Sequence, residues 1–271
     1  MTIRLIAADM DGTFLDARGH YDRQRFSRLL DQLEDRDIRF VVATGNSMKR
    51  LGVLFDGFLD RIDIVAENGA HVLSAGKTLA RQSIAPELVQ GFLSYMTGKE
   101  QRYSLSLTSQ DQAYMLEGTR LPDFDGIAPD ELIAMRQQIH YVSDWDQVSQ
   151  AITKMNLEAG NHAQELSQAI NQQFPGRLRA ITSGFGGIDI LAEGCHKAAG
   201  LAVLLDHYGL SMDQVMSFGD SQNDLELLKR SGLSYAMANA SQEVKAAAKA
   251  IAPSHTENGV FTIIEAFIAT S

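Results

Sequence analysis

Ile3-Arg4-Leu5-Ile6-Ala7-Ala8-Asp9-Met10-Asp11-Gly12-Thr13 is an apolar run of strand length that ends abruptly in two carboxylates, after which Gly12 and Thr13 turn the chain. A strand buried in a parallel sheet reads as a continuous apolar run. Such strands deliver ligand-binding residues at their carboxyl ends. The stretch therefore predicts two acids at the rim of an α/β sheet. Moving outward, Phe26, Leu29, Leu30 and Leu33 recur at i, i+3, i+4 and i+7 between Tyr21 and Asp37, a one-faced helix. Arg39 to Ala43 is a second apolar strand and ends in Thr44-Gly45-Asn46. A helix from Ser47 to Phe55 and a strand from Ile62 to Ala66 follow, the strand ending in Glu67-Asn68-Gly69-Ala70. Strand, helix, strand, helix, strand is the pattern of successive βαβ units.

The texture changes near Ser83. Pro86 to Met96 and Gln164 to Phe174 read as helices, whereas Tyr103 to Leu107, Ala113 to Leu116 and Ala151 to Leu157 alternate apolar with polar. Alternation suits an antiparallel sheet with one wet face. The βαβ texture returns after the Ser183-Gly184-Phe185-Gly186-Gly187 turn. Ile188 to Leu191 and Val215 to Phe218 read as strands, and Ala198, Leu201, Leu204, Leu205 and Tyr208 as a helix stripe. Leu225, Leu227 and Leu228 lie in another helix, and Ser234 to Met237 is strand-like. Ser241 is placed to cap a helix, and Val260, Ile263, Ile264 and Phe267 form a closing helix face. The expectation is an α/β core domain over 1–82 and 185–271, interrupted by an α+β domain over 83–184.

Composition narrows the function. The 271 residues carry a formal net charge of -10, which argues against a nucleic-acid partner. A small phosphorylated ligand is still allowed, because a metal ion and a few local cations set the sign inside a cleft. The single cysteine, Cys195, forms no intrachain disulfide and reads as a small buried hydrophobe. No apolar run approaches the ~20 residues of a membrane span. The amino-terminal residues show no signal-peptide pattern, so a cytoplasmic location is expected.

Four clusters fall at strand or helix ends: Asp9/Asp11, Thr44-Gly45-Asn46, Lys197, and Gly219-Asp220-Ser221-Gln222-Asn223-Asp224. A parallel sheet brings the strand-borne clusters to one edge. Asp9, Asp11 and Asp220 offer hard oxygen ligands of the kind Mg²⁺ takes. Thr44 and the amides around Gly45 can donate to phosphate oxygens, and Lys197 adds a point charge. The combination suits phosphoryl transfer. A carboxylate can itself be the nucleophile, but spacing alone does not say which of Asp9 and Asp11 attacks and which moves the proton. Glu67 and Asn68 read as loop-shaping residues, and Trp145, Phe124 and Tyr141 as packing within the middle domain. The seven histidines show no ligand spacing.

Asp9-Met10-Asp11-Gly12-Thr13 resembles the first motif of the haloacid dehalogenase superfamily of phosphohydrolases. Thr44-Gly45, Lys197 and Gly219 to Asp224 match its later motifs in order. The insertion resembles the class IIB cap of the Cof-type branch. Glu67-Asn68-Gly69-Ala70 and Ala236-Met237-Ala238-Asn239-Ala240 are similar to that branch as well. The stretch from Thr182 to Asp189, with Gly194-Cys195-His196-Lys197-Ala198, resembles its bacterial sugar-phosphate phosphatases. The resemblance implies a Rossmann-like core and a cap acting as a lid. It makes Asp9 the nucleophile and a metal ligand. Asp11 becomes the general acid and later the base, binding metal through its main-chain carbonyl. Asp220 completes the Mg²⁺ ligands, supported by Asp224. Thr44, Gly45, Asn46, Lys197, Asn223 and the Met10 amide are implied to hold phosphate or substrate. Asn46 and Ala198 depart from the branch, where Arg and Gly are usual, and both departures match the sugar-phosphatase subgroup. The expectation is a Mg²⁺-dependent phosphatase of small phosphorylated metabolites, sugar phosphates foremost, working as a monomer or weak homo-oligomer. A sugar phosphomutase and a non-catalytic phosphometabolite sensor stand as alternatives.

Overall fold

Leu5–Ala8 forms β1, and all four residues are buried. The computed structural model describes residues 2–99, 102–109, 112–119, 133, 137, 139–182 and 186–270. After β1 comes α1 (Arg23–Glu34), which buries Phe26, Leu29, Leu30 and Leu33 and is capped by the Asp22 side chain accepting from the Arg25 amide. β2 (Arg39–Ala43), α2 (Met48–Leu54) and β3 (Asp63–Ala66) continue the βαβ pattern. β4 (His71–Ser74) and β5 (Lys77–Arg81) then form an antiparallel hairpin. The middle of the chain supplies α3 (Pro86–Met96), β6 (Ser106–Thr108), β7 (Ala113–Leu116), β8 (Ile139–Val142) and β9 (Lys154–Glu158). It continues with α4 (Ala163–Gln173), β10 (Leu178–Thr182) and β11 (Gly187–Ala192). The last part comprises α5 (Lys197–Tyr208), β12 (Val215–Gly219), α6 (Leu225–Arg230) and β13 (Leu233–Met237). α7 (Gln242–Ala247), β14 (Ala250–Ala252) and α8 (Gly259–Thr270) close the chain.

The chain divides into two compact units, one made of Met1–Arg81 and His196–Ser271, the other of Gln82–Cys195. The first is built on an eight-stranded sheet in the order β14-β13-β12-β1-β2-β3-β4-β5. The six strands from β14 to β3 are parallel, and β4 and β5 are antiparallel. β1 is the switch point. From it the chain order runs through β2 and β3 on one side and through β12, β13 and β14 on the other. Ligands of open α/β sheets bind where the strand order reverses, outside the carboxyl ends, and there the chain places Asp9. The turn after β1 is held by Phe14, which is buried in an aromatic cluster with Phe26, Phe40, Phe55 and Phe261.

The second unit has a six-stranded sheet in the order β10-β11-β9-β6-β7-β8. Its pairs are antiparallel except β7 with β8. Phe92 and Met96 of α3 and Ile170 of α4 join Leu107, Met155, Leu157, Ile188 and Ile190 in its apolar core. Here the structure departs from the expected boundary. Ile188 to Leu191 is the center of β11 and belongs to the second unit, because it pairs antiparallel with β9 and β10. The core therefore resumes at His196 rather than at residue 185. Tyr103 to Leu107 is also shorter as a strand than expected, with β6 starting at Ser106. Trp145 packs partly against this core, whereas Tyr141 is 42% exposed. Phe124 and residues 183–185 lie outside the described residues.

Candidate active site

Two backbone bonds shape the turn after β1: the Phe14 amide donates to the Asp9 carbonyl at 3.2 Å and the Leu15 amide to the Met10 carbonyl at 3.0 Å. Gly12 sits inside at φ 79°, and a Cβ there would lie 2.5 Å from Asp220 Oδ2. Only glycine meets both demands, a left-handed backbone and a close approach to a carboxylate. The Asn239 side chain donates to the Gly12 carbonyl at 2.8 Å and holds the turn from the β13 side. Asp9 continues the ladder, its amide donating to the Phe218 carbonyl of β12 at 3.1 Å.

Asp9 is buried, and its Oδ1 accepts from Lys197 Nζ at 2.6 Å. Lys197 is the first residue of α5 and is wholly buried. A second bond of 2.6 Å runs from Nζ to Asp224 Oδ1. Burial alone would push the Lys197 ammonium down, but the carboxylates of Asp224 and Asp9 outweigh it and hold it above the ordinary lysine range. The other Asp224 oxygen accepts from the amides of Asp220 and Ser221, both at 3.1 Å, so this acid fixes the loop after β12 as well as the lysine. Gly219 makes room for it: a Cβ there would lie 2.4 Å from the Asp224 carboxyl carbon. Asp220 faces the turn after β1 and accepts from the Thr13 hydroxyl at 3.0 Å.

Among the described residues, Asp9, Asp220 and Asp224 form an acidic cluster with ligand oxygens within 4.8 Å of one another. Burial pushes Asp9 well above the usual carboxylate range; Lys197 opposes this, and Asp224 and Asp220 add to it. Asp220 is pushed up to about 6, first by burial and then by Asp224, against the Thr13 hydrogen bond. Three carboxylates against one ammonium leave the cluster short of positive charge. All of its donors are hard oxygens, and this set fits a hard divalent cation.

Asp11, two residues on, is in a different place. Its carboxylate is half exposed and lies outside the acidic cluster. It is gripped by Arg50, with Nη2 to Oδ1 at 2.9 Å and Nη1 to Oδ2 at 3.0 Å, and it accepts from Asn46 Nδ2 at 2.7 Å. Asn46 also donates to Thr44 Oγ1 at 2.9 Å and accepts from Arg50 at 2.7 Å. The structure thus joins Asp11, Thr44, Asn46 and Arg50 in one chain of hydrogen bonds. Asn223 bonds to Asn68 Oδ1 at 2.9 Å and accepts from Ser221 at 2.7 Å. Gly45 follows Thr44 directly at the end of β2, and Met10 lies between the two acids with its side chain buried. Sequence reasoning missed Arg50 and the roles of Thr13 and Asn68. A signal for Arg50 was present: a cation in the first turn of a helix opposes the helix dipole and calls for a nearby anion.

A buried carboxylate held by an ammonium, an acidic set suited to a cation, and a second carboxylate on the same turn are an arrangement suited to phosphoryl transfer on a doubly wound sheet. The chain matches the haloacid dehalogenase-like hydrolase family over residues 6–264 and belongs to it. It is 31% identical over 266 residues to a 5-amino-6-(5-phospho-D-ribitylamino)uracil phosphatase of Escherichia coli, covering 98% of this chain and 96% of that one. A solved structure of a Streptococcus mutans protein superposes with a TM-score of 0.89 at 33% identity, over 99% of this chain and all of the other. A subclass IIB sugar phosphatase matches at 19% identity with a TM-score of 0.81, over 97% of this chain and 98% of that one, a likeness of fold. The chain is a phosphoric monoester hydrolase with a Rossmann-like core and an inserted α+β cap domain of the class IIB type. No helix among the described residues is long and apolar enough to cross a membrane.

Proposed function

We propose that this protein is a Mg²⁺-dependent, cytoplasmic phosphatase of phosphorylated sugars and related small metabolites, working through an aspartyl-phosphate at Asp9. The observation that carries the reading is the Asp9 carboxylate, fixed at the switch point by a 2.6 Å bond to a fully buried Lys197. The bond holds the carboxylate in place for attack on phosphorus. Asp9 displaces the alcohol from phosphorus, and the P–O bond to the leaving group breaks as the Asp9–phosphorus bond forms. Asp11 gives the alcohol its proton, then takes a proton from the water that attacks the phosphoryl group and frees Asp9. Asp9, Asp220 and the Asp11 carbonyl would hold Mg²⁺, which when bound supplies positive charge to the phosphate oxygens. Thr44, Gly45, Asn46, Asn223, the Met10 amide and Lys197 hold the phosphate, with Asp224 keeping Lys197 in place.

Two observations support a sugar-like leaving group. Asn46 and Ala198 resemble the sugar-phosphatase subgroup rather than the wider branch. The Escherichia coli relative is named for a substrate with a phosphorylated ribityl chain. The test is phosphate release with Mg²⁺ from sugar phosphates, nucleotides and pyridoxal phosphate. Turnover is expected with the sugar phosphates above the rest. Interconversion of sugar phosphates without release, or binding without turnover, would contradict the proposal.

A further inference from the structure

Arg50 occupies an unusual place. It lies in the first turn of α2, where the helix dipole disfavors a cation. Its side chain is only 14% exposed, so it is a desolvated guanidinium at the wrong end of a helix. Such a position costs stability unless anions compensate, and Asp11 is one that does. The contact is bidentate, at 2.9 and 3.0 Å, a planar fork that fixes both oxygens and thereby the plane of the carboxylate. Asn46, four residues earlier, locks the same arrangement from the other side. It donates to Asp11 Oδ2 and accepts from Arg50, while Thr44 Oγ1 anchors its amide. Asp11 lies on a turn with extended backbone and is half exposed, so its backbone alone does not fix the side chain.

We propose that Arg50 is a positioning residue for the reaction: with Asn46 it sets the orientation of the Asp11 carboxylate from which the proton of the leaving alcohol is handled. The inference rests on the reading of Asp11 given above. Arg50 needs no contact with the phosphate in this role. A misplacement of about 1 Å in such a group costs about a hundredfold in rate, so the effect of losing the fork is large.

The test is a double-mutant cycle of Arg50→Met and Asp11→Asn, read as kcat/KM on glucose 6-phosphate and on p-nitrophenyl phosphate, with inhibition by inorganic phosphate measured alongside. The phenolate leaves without a proton and the sugar alkoxide does not. Arg50→Met is expected to lower kcat/KM on the sugar ester by about ten- to a hundredfold, to change the aryl ester little, and to leave phosphate inhibition unaltered. In the Asp11→Asn background it should cause no further loss. Arg50→Lys, which keeps the charge without the fork, should recover part of the activity; it also serves as the second variant if the methionine variant is poorly folded. Equal losses on both esters, the same loss in the Asp11→Asn background, or weakened phosphate inhibition would overturn the proposal. If Asp11→Asn itself fails to distinguish the two esters, the assignment of Asp11 falls; if it does distinguish them and the cycle is additive, only the role of Arg50 falls.

Discussion

Asp9 and Asp11 are two residues apart and share a turn, yet the protein treats them as opposites. Asp9 is buried, pushed well up by desolvation, and held by an ammonium that is itself wholly buried. Asp11 is half exposed and held by a guanidinium and an amide. Each is served by a cation from the first turn of a helix, Lys197 of α5 and Arg50 of α2, where the dipole opposes positive charge. The difference lies in the kind of grip. The lysine is a point charge bonded to one oxygen of Asp9. The arginine covers both oxygens of Asp11 and fixes its orientation. A nucleophile needs an exposed lone pair in a dry site, whereas a proton carrier needs a defined orientation next to the leaving group.

The sharpest way to break the comparison is to remove the nucleophile. Asp9→Asn keeps the shape of the side chain and is expected to lower phosphate release by roughly a thousandfold or more; near-normal rates would show that the buried acid is not the attacking group. Removal of the metal comes next. Chelation should silence turnover and Mg²⁺ should restore it, because three crowded carboxylates face one ammonium; activity indifferent to EDTA would contradict the metal assignment. Lys197→Met leaves Asp9 and Asp224 buried without a counter-charge. It is expected to cost about 3–5 kcal/mol in folding stability as well as activity, read from the melting temperature and phosphate release together. A smaller effect isolates structure from chemistry. Asp63 is also fully buried and paired with Arg39, at 2.6 and 3.2 Å, but it begins β3 at the opposite edge of the sheet. Asp63→Asn should lower stability by about 1–3 kcal/mol with kcat unchanged, and a matching loss of kcat would blur the distinction between the two edges.

The parallel strands were legible because each is buried on both faces and so reads as an apolar run. Their ends were legible because chemistry places unusual polar residues there. The hairpin β4–β5 was not, since Lys77, Thr78 and Leu79 are exposed on an edge strand and carry no burial pattern. β11 was read as a core strand because Ile188 to Leu191 is largely apolar, and nothing local tells which sheet a strand will join. Asp9, Asp220 and Lys197, which the sequence singles out, lie together in the structure, but the different surroundings of Asp9 and Asp11 were not legible. Those are set by Lys197 and Arg50, which reach the turn only through the tertiary fold.

The two acids can be tested in one measurement, by mass mapping of the Asp11→Asn variant quenched in acid during turnover of p-nitrophenyl phosphate. The phenolate departs without a proton, so the first step proceeds; the water attack lacks its base, so the second step slows. The division of labor proposed here predicts that a phosphoryl group accumulates on Asp9. Turnover at the wild-type rate with no phosphorylated protein, or a phosphoryl group mapped to any other residue, would contradict it.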